Sequence, residues 1–215
     1  MKRVSLIGVV LMVGVLSASF NGIVLAEDNG VDLEKIVVTP YRYTESLANT
    51  PASVSVIDSD QISKSNVSTT VDLLSELSGV VVKDWTGNGS KAAVDIRGFG
   101  EQSALNTLVL VDGRRVNEID LSGVSWRQIP LEQIERIEVL KGGFGSVLYG
   151  DNAVSGVINI ITKRGADKPV SVEVMGEYGS YDINKENIII SGTIKKINYF
   201  LNYGREQTHG YRNNT

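Results

Sequence analysis

The sequence predicts an α+β domain, a small mixed β-sheet with short helices, followed by the first antiparallel strands of a transmembrane β-barrel. Three observations lead to this prediction. A β-branched run at residues 156–163 follows a glycine-dense turn, and an Asp-Gly pair joins two β-prone runs at residues 108–116. From residue 170 onwards, apolar and polar residues alternate over long segments, which is the pattern of membrane-barrel strands.

The first 26 residues have the composition of a secretory signal peptide. Lys2 and Arg3 precede an apolar run at residues 4–16, which is too short for a spanning helix, and Ala26 supplies a small residue for cleavage. The whole chain has a net charge of −4, and removal of this basic leader makes it more acidic. The charge balance therefore gives no support to nucleic-acid binding.

The composition also argues against enzymatic chemistry. The chain has no cysteine and a single histidine, His209, which disfavours zinc or copper sites built from nitrogen and sulfur ligands. It contains no G-x-S-x-G sequence, and its acidic residues lack the spacing of a calcium loop. We therefore predict a protein that is not an enzyme and that uses no metal or cofactor.

In the first half of the α+β domain, strands alternate with short capped helices. The segment Asp58-Ser59-Asp60 can cap the first helix, and Thr69, answered by Asp72 three residues later, can cap the second. The predicted elements are a strand at residues 52–57, a helix at 61–65, a helix between Thr69 and Gly79, and strands at 80–82 and 93–98. The leucines of the second helix are expected in the core and not on a binding surface.

The second half of the domain is predicted to supply the centre of the sheet. Asp112 lies in the turn of a hairpin, and turn chemistry explains this aspartate without a catalytic role. Pro130 suits the first turn of a short helix at residues 129–134. A strand at 137–141 then enters a glycine-dense turn and returns as the buried strand 156–163.

The glycine-dense turn has a competing interpretation as a phosphate-binding loop. A dinucleotide fingerprint requires G-x-G-x-x-G at the opening of a helix, and from Gly143 the third glycine would fall at Leu148. The turn also carries no Gly-Lys-Ser/Thr sequence. The sequence therefore disfavours nucleotide binding.

The segment from residue 134 to 163 strongly resembles the end of the plug domain of TonB-dependent outer-membrane receptors, with its LKGPxSxLYG turn and NAxGGVINIIT strand. The matching residues are Leu140, Lys141, Gly142, Ser146, Leu148, Tyr149, Gly150, Asn152, Ala153, Gly156 and residues 157–162. Gly143 replaces the usual proline, which should loosen the turn, and Ser155 replaces a usual glycine. Three further segments fit the family pattern: DLLSELSGV at residues 72–80, DIRGF at 95–99 and LVLVDGRRV at 108–116.

The resemblance implies that the segment before Pro40 is the TonB box, the strand that the inner-membrane protein TonB binds. An extended segment can add to the exposed sheet edge of a partner, and Pro40 would end its row of backbone donors. An ordinary first strand of the domain is the alternative. The implied TonB-binding residues are Glu34, Lys35, Ile36, Val37, Val38 and Thr39.

The resemblance also implies two kinds of contact made by the plug. Arg97, with Lys141, would face acidic residues on the inner barrel wall, because a guanidinium fork can bind a carboxylate through two hydrogen bonds. A solvated charge at a strand end is the alternative. Loops at the outer tip, residues 85–91 and 99–106, would touch the ligand. The implied ligand-contact residues are Trp85, Asn88, Ser90, Phe99, Gln102 and Asn106.

These assignments give the expected domain organisation. It consists of a signal peptide at residues 1–26, an N-terminal tether at 27–49 that contains the TonB box (34–40), a plug domain at 50–165, and the first barrel strands at 166–215. Tyr199, Leu201 and Tyr203 share one face of the third strand. Because about three strands cannot close a barrel, we expect the N-terminal piece of a longer receptor or a truncated reading frame.

Together these features predict part of a receptor in the bacterial outer membrane, exported through the Sec pathway. Its plug would gate the uptake of a ferric siderophore, cobalamin or a similar scarce nutrient, driven by TonB. The expected partners are TonB, a small-molecule metal chelate or cobalamin as cargo, and outer-membrane lipid, with no nucleic acid. A self-standing periplasmic ligand-binding or signalling domain and a secreted enzyme are the alternatives.

Overall fold

A computed structural model describes residues 36–37, 45–46, 52–85, 87, 89–120, 122–179 and 183–207, all within one compact unit, residues 34–215. The predicted signal peptide lies outside the described residues, as do Glu34, Lys35, Val38, Thr39, Asn88 and His209. At the start of the unit, two short strands, β1 (Ile36–Val37) and β2 (Glu45–Ser46), pair in antiparallel orientation.

A five-stranded mixed sheet forms the centre of the α+β domain, with a separate two-stranded hairpin beside it. The strands are β3 (Ser53–Ile57), β4 (Val80–Lys83), β5 (Ala93–Ile96), β6 (Thr107–Val111), β7 (Arg114–Arg115), β8 (Ile134–Lys141) and β9 (Gly156–Thr162). The sheet order is β3-β8-β9-β6-β7, in which β6 and β9 are parallel and the other pairs antiparallel, while β4 pairs with β5. The predicted mixed sheet is confirmed.

Short helices connect these strands, and side chains cap the first two. The helices are α1 (Ser59–Lys64), α2 (Thr70–Ser75), α3 (Ser103–Asn106) and α4 (Phe144–Tyr149). Asp58 accepts from the Gln61 amide at 2.9 Å, and Thr69 accepts from the Asp72 amide at 3.1 Å, so both predicted caps are confirmed. Within the described ranges, none of the helices is long and apolar enough to cross a bilayer.

The larger part of the core lies between one face of the mixed sheet, α2 and the β4–β5 hairpin. Leu73 and Leu74 from α2 meet Ile96 from the hairpin and aliphatic side chains of β8 and β9 there. Each such side chain contributes about 1.5–3 kcal/mol when fully buried. The leucines of α2 are therefore core residues, as the sequence predicted.

The other face of the mixed sheet carries a smaller apolar cluster and one buried charge. Leu108, Leu140 and Val157 form the centre of this cluster. Glu138 lies two residues before Leu140 and is fully buried, and its carboxylate accepts from Nε of Arg136 at 3.1 Å. Because an unpaired buried carboxylate is strongly destabilising, this ion pair is what allows the charge at that position.

Residues 142–150 differ from the prediction of a continuous glycine-dense turn, because α4 occupies six of them. Gly145 lies inside this helix and is buried, and a Cβ built on it would stand 2.5 Å from Cγ2 of Val157. Close packing on β9 thus stabilises a helix that local propensity disfavours.

The predicted helix at residues 129–134 also differs from the structure. Two 3₁₀ turns, Trp126–Gln128 and Leu131–Gln133, lie in this region, and Pro130 directly precedes the second.

The chain continues into a second, three-stranded antiparallel sheet. Its strands are β10 (Ser171–Gly179), β11 (Ile183–Ile194) and β12 (Ile197–Gln207), in that order. Lys195 and Lys196 form the two-residue connection between β11 and β12, with Ile194 opposite Ile197. The predicted antiparallel strands are confirmed.

The two faces of the second sheet have opposite character. Side chains on the outer face are apolar and 38–72% exposed: Val172, Val174, Ile188, Ile190, Leu201 and Tyr203. On the inner face of β11, Asn187, Ile189 and Ser191 are buried. Nζ of Lys185, also on this face, donates to the Ser68 carbonyl just before α2 at 3.3 Å. The inner face is therefore turned towards the α+β domain.

The connection between the two sheets is fastened to the β11–β12 hairpin. Asn198 accepts from the Gly165 amide at 2.8 Å and donates to the Gly165 carbonyl at 2.9 Å. The hydroxyl of Tyr199 donates to the Pro169 carbonyl at 2.7 Å, and the Thr193 amide donates to the Lys168 carbonyl at 2.8 Å. Backbone groups of this connecting segment are thus satisfied by the second sheet.

Candidate functional site

Arg97 lies in a tight turn directly after β5. Its φ is +67°, a left-handed conformation that costs a non-glycine residue about 1–2 kcal/mol. Asp95, which is 3% exposed, stabilises the turn, because its two carboxylate oxygens accept from the Phe99 and Gly100 amides, each at 2.7 Å. A charged side chain is thereby presented on a fixed backbone.

The guanidinium of Arg97 rests against Gly142, the first residue after β8. A Cβ built on Gly142 would stand 2.6 Å from Nη1 and 2.9 Å from Cζ of Arg97. Gly142 also has a φ of +97°. The backbone conformation therefore favours glycine at this position, and a Cβ here would displace the guanidinium of Arg97.

Lys141, the last residue of β8, lies beside Gly142 and so on the same edge as Arg97. Its Nζ donates to the Ser78 carbonyl, in the turn after α2, at 2.6 Å. Opposite it in the sheet is Ser53, the first residue of β3. The two cations predicted to act together are thus neighbours in the fold, although forty-three positions separate them in the chain.

Within the described residues, neither Arg97 nor Lys141 has a carboxylate at ion-pair distance. Arg97 is exposed and Lys141 is half-buried. Two neighbouring cations without a nearby counter-charge form an electropositive edge that is complementary to an acidic surface.

Two of the predicted ligand-contact segments meet at one end of the hairpin, and a third loop joins them there. Trp85 is 71% exposed, and the Ser90 carbonyl accepts from the Trp126 amide at 3.1 Å. A Cβ on Gly123 would stand 3.8 Å from Cβ of Ala104 in α3. The described residues of 84–91 and 117–125 therefore share one surface with the end of 99–106.

The third of these loops was not predicted as functional. Its Ile119 is fully exposed, and Lys91 Nζ reaches the Ser122 hydroxyl at 3.4 Å. The side chain of Ser122, followed by its amide, hydrogen-bonds the Asp120 carboxylate, which lowers the pKa of Asp120 below its usual range. Asp120 therefore stays ionised at neutral pH. In the sequence, the apolar Ile119 beside the charged Asp120 was the feature that could have marked this loop as functional.

Phe99 lies apart from that shared surface. It follows the C-terminal end of β5, whereas Ser90 precedes the N-terminal end, and the strand between them rises about 3.3 Å per residue. Phe99 is 38% exposed and belongs to the Arg97 turn. Gln102 and Asn106 lie between the Arg97 turn and β6. Nδ2 of Asn106 donates to the Gln102 carbonyl at 2.8 Å.

Of the predicted TonB box, the backbone of two residues is described. Ile36 pairs with Ser46 and Val37 with Glu45, in antiparallel register. An extended conformation is what the sequence predicted for this segment.

In the described part of the chain, no group of three or more His, Cys, Asp or Glu side chains is arranged to hold a metal ion. A cavity of about 20 Å³ lies beneath the three converging loops, lined by Val94, Ala104, Asn117 and Trp126 among others. It has room for about one water molecule and none for a larger ligand. Any larger ligand of this region would therefore bind on the surface of the loops.

The architecture is that of a plug domain joined to antiparallel strands. Residues 46–157 match the family model described as TonB-dependent Receptor Plug Domain, which covers more than half of the chain. The chain belongs to this family.

Curated relatives are transporters and outer-membrane proteins. The chain is 38% identical over 143 residues to the vitamin B12 transporter BtuB of Vibrio vulnificus (strain CMCP6), covering 66% of this chain and 23% of that protein. It is 33% identical over 215 aligned positions to the iron-regulated outer membrane virulence protein of Vibrio cholerae serotype O1 (strain ATCC 39315 / El Tor Inaba N16961), covering 91% and 32%. The chain thus spans a quarter to a third of the length of these relatives.

Solved structures share the fold. The pyoverdine outer membrane receptor FpvA from Pseudomonas aeruginosa PAO1, bound to pyoverdine, gives a TM-score of 0.67 at 20% identity, covering 82% of this chain and 25% of that one. The alcaligin outer membrane receptor FauA from Bordetella pertussis gives 0.64 at 20% identity, covering 80% and 29%. The predicted fold class is confirmed.

Proposed function

We propose that this chain is the plug and the first membrane strands of an outer-membrane receptor that imports a ferric siderophore, cobalamin or a similar scarce nutrient. The observation that carries the proposal is the succession of two sheets: a plug-type mixed sheet, then antiparallel strands with an apolar, exposed outer face. The relationship to a vitamin B12 transporter and to an iron-regulated outer-membrane protein supports this class of cargo.

The outer face of the second sheet is the surface that meets lipid in this proposal. Val174, Ile188 and Tyr203 form a row across this sheet and expose apolar surface. Contact with lipid hydrocarbon would remove that surface from water. The proposed domains are the signal peptide at residues 1–26, read by the Sec pathway, the tether at 27–49, the plug at 50–165 and the barrel strands at 166–215.

Arg97 and Lys141 are the residues that hold the plug against the barrel in this proposal. The two cations lie side by side without an ion-pair partner among the described residues, which is consistent with a carboxylate supplied by another part of the receptor. Arg97 packs against Gly142, and Lys141 donates to the Ser78 carbonyl. These contacts orient the two cations towards one geometry of the contact with the barrel.

The cargo surface consists of the converging loops. Trp85, Asn88 and Ser90 are its first members, and Gln102 and Asn106 approach it from α3. Exposed Ile119 and charged Asp120 extend it. Phe99, on the Arg97 turn, would touch cargo only where the cargo reaches both ends of β5.

The strand containing Ile36 and Val37 is the coupling element, which TonB takes up by strand addition. The segment already pairs in extended form with β2, so a partner would add to its free edge or replace β2.

This coupling step can be tested by titrating the purified chain against the periplasmic domain of TonB in a calorimeter. We expect binding that Val37→Pro weakens at least tenfold, because proline removes a backbone donor from the strand. Gly30→Pro introduces a proline outside the segment. It is the control and should bind TonB like wild type. Equal binding of Val37→Pro and wild type, or no binding of wild type, would contradict the coupling assignment.

A further inference from the structure

Ser155, between α4 and β9, is fully buried, and its hydroxyl forms two hydrogen bonds. The Asn106 carbonyl lies 2.8 Å from Oγ of Ser155, and Oγ1 of Thr107 lies at the same distance. A carbonyl oxygen can only accept, so Ser155 donates its single hydroxyl hydrogen to Asn106 and accepts from Thr107. The end of the cargo loop 99–106 is thereby bonded to Ser155.

The backbone of Ser155 extends this connection to the cation pair. Its amide donates to the same Asn106 carbonyl at 2.9 Å, and its own carbonyl accepts from the Gly142 amide at 2.7 Å. Gly142 is the residue on which the Arg97 guanidinium rests. One buried residue therefore contacts the end of the cargo loop on one side and the seat of Arg97 on the other.

The next residue repeats the same bridge within the sheet. Gly156 stands opposite Thr107 on β6 and opposite Lys141 on β8. A Cβ on Gly156 would stand 2.5 Å from the Leu140 carbonyl and 3.0 Å from Cδ1 of Ile96, so β9 packs closely against β8 and β5 here. The pairing of Thr107 with Gly156 therefore joins the end of the cargo loop to closely packed backbone.

The side chain and the backbone of Ser155 make separate hydrogen bonds, so the hydroxyl can be removed by itself. Ser155 is not among the residues with positive φ, so its conformation does not require glycine. A glycine here would retain both backbone hydrogen bonds and lose the two made by the hydroxyl.

We propose that Ser155 is a positioning residue that couples the cargo loop to the Arg97–Lys141 pair. Displacement of the Asn106 carbonyl moves Ser155, and Ser155 moves the Gly142 amide beneath the Arg97 guanidinium. The inference rests on the proposed function for the roles of the two ends, while the physical link between them stands on the bonds alone. Contact in space does not by itself establish coupling, so the test must disturb one end and observe the other.

The test is amide hydrogen exchange, measured on the detergent-solubilised 215-residue chain. Ser155→Ala removes the hydroxyl on the loop side and leaves the Gly142–Ser155 backbone bond in place. We expect the Gly142 amide to exchange about tenfold faster, the effect of losing roughly one net hydrogen bond of stabilisation. The amide of Ile160 in β9 is the internal reference and should change less than twofold.

Two further variants make the result specific. Thr107→Val leaves the Ser155–Asn106 bond intact, so we expect an acceleration at Gly142 of about threefold, smaller than that of Ser155→Ala. Ser75→Ala removes an exposed hydroxyl that donates to the Asp72 carbonyl in α2 at 2.6 Å, and Gly142 should not respond.

Faster exchange at residues 106–107 with an unchanged Gly142 amide would overturn the coupling, and so would equal acceleration at Gly142 and Ile160. If Ser155→Ala does not fold, an unchanged Gly142 amide in Thr107→Val would also overturn it. The measurement uses neither TonB nor cargo, so its failure is distinguishable from failure of the proposed function.

Discussion

At the scale of single residues, Gly142 and Gly143 are neighbours with opposite requirements. Gly142 has a left-handed φ, and a Cβ built on it would displace the Arg97 guanidinium. Gly143 has a φ of −67° at the cap of α4, within the range that proline imposes, and nothing closer than 3.9 Å to a Cβ built on it. The flexibility of Gly143 is therefore an entropic cost that the fold does not need.

We predict that Gly143→Pro stabilises the domain by about 0.4–1 kcal/mol, because proline restricts the unfolded chain and fits the folded backbone. Chemical denaturation of the purified chain measures this directly. Gly142→Ala is the comparison and should destabilise the domain. Destabilisation by Gly143→Pro would show that the backbone at this position is not the one described.

The candidate site was suggested by a resemblance, and its connections were not predicted. The likeness of the segments around Arg97 and Lys141 to the plug pattern pointed to these two cations, and their contact with an acidic barrel wall stays a prediction. Arg97 contacts Gly142 about 45 positions away, and Asn106 is hydrogen-bonded to Ser155 about 49 positions away. Local sequence patterns do not predict contacts between residues so far apart. Ser155 was visible only as a departure from the family pattern.

At the scale of elements, the strands were predictable and α4 was not. β-Branched runs and an Asp-Gly turn mark β6 and β9 locally. In α4, Gly145 lowers the local helix propensity, and the helix forms because only glycine allows its close approach to Val157. A helix such as α4, which is stabilised by a tertiary contact and not by local propensity, could not be predicted from the sequence.

The β11–β12 connection allows an element-scale prediction. Lys195 has a φ of +57°, which costs a lysine about 1 kcal/mol or more relative to glycine. We predict that Lys195→Gly stabilises the second sheet, raising the protection of β11 and β12 amides in hydrogen exchange by up to about fivefold. Lys196→Gly, at a residue without positive φ, is the control and should not increase protection. A loss of protection in Lys195→Gly would contradict the turn geometry.

At the scale of the whole molecule, the two sheets present opposite surfaces. The mixed sheet buries apolar side chains on both faces, whereas the second sheet buries polar Asn187 and Ser191 inside and exposes Ile188 and Tyr203 outside. The alternation that predicted the second sheet is therefore present in the fold. In the proposed receptor, the apolar outer face would meet lipid and the polar inner face would meet the plug.

In the proposed function, TonB pulls on the plug through residues 36–39 of the N-terminal tether. In the proposed full-length receptor, deletion of these four residues should reduce energy-dependent uptake to background, because the strand that TonB takes is gone. Binding of cargo at the cell surface should stay within about twofold of wild type, because the cargo loops are unchanged. The measurement is parallel uptake and surface binding, with labelled cyanocobalamin and ferric siderophores as probes. Loss of uptake with retained binding is the predicted result, and unchanged uptake would contradict the account.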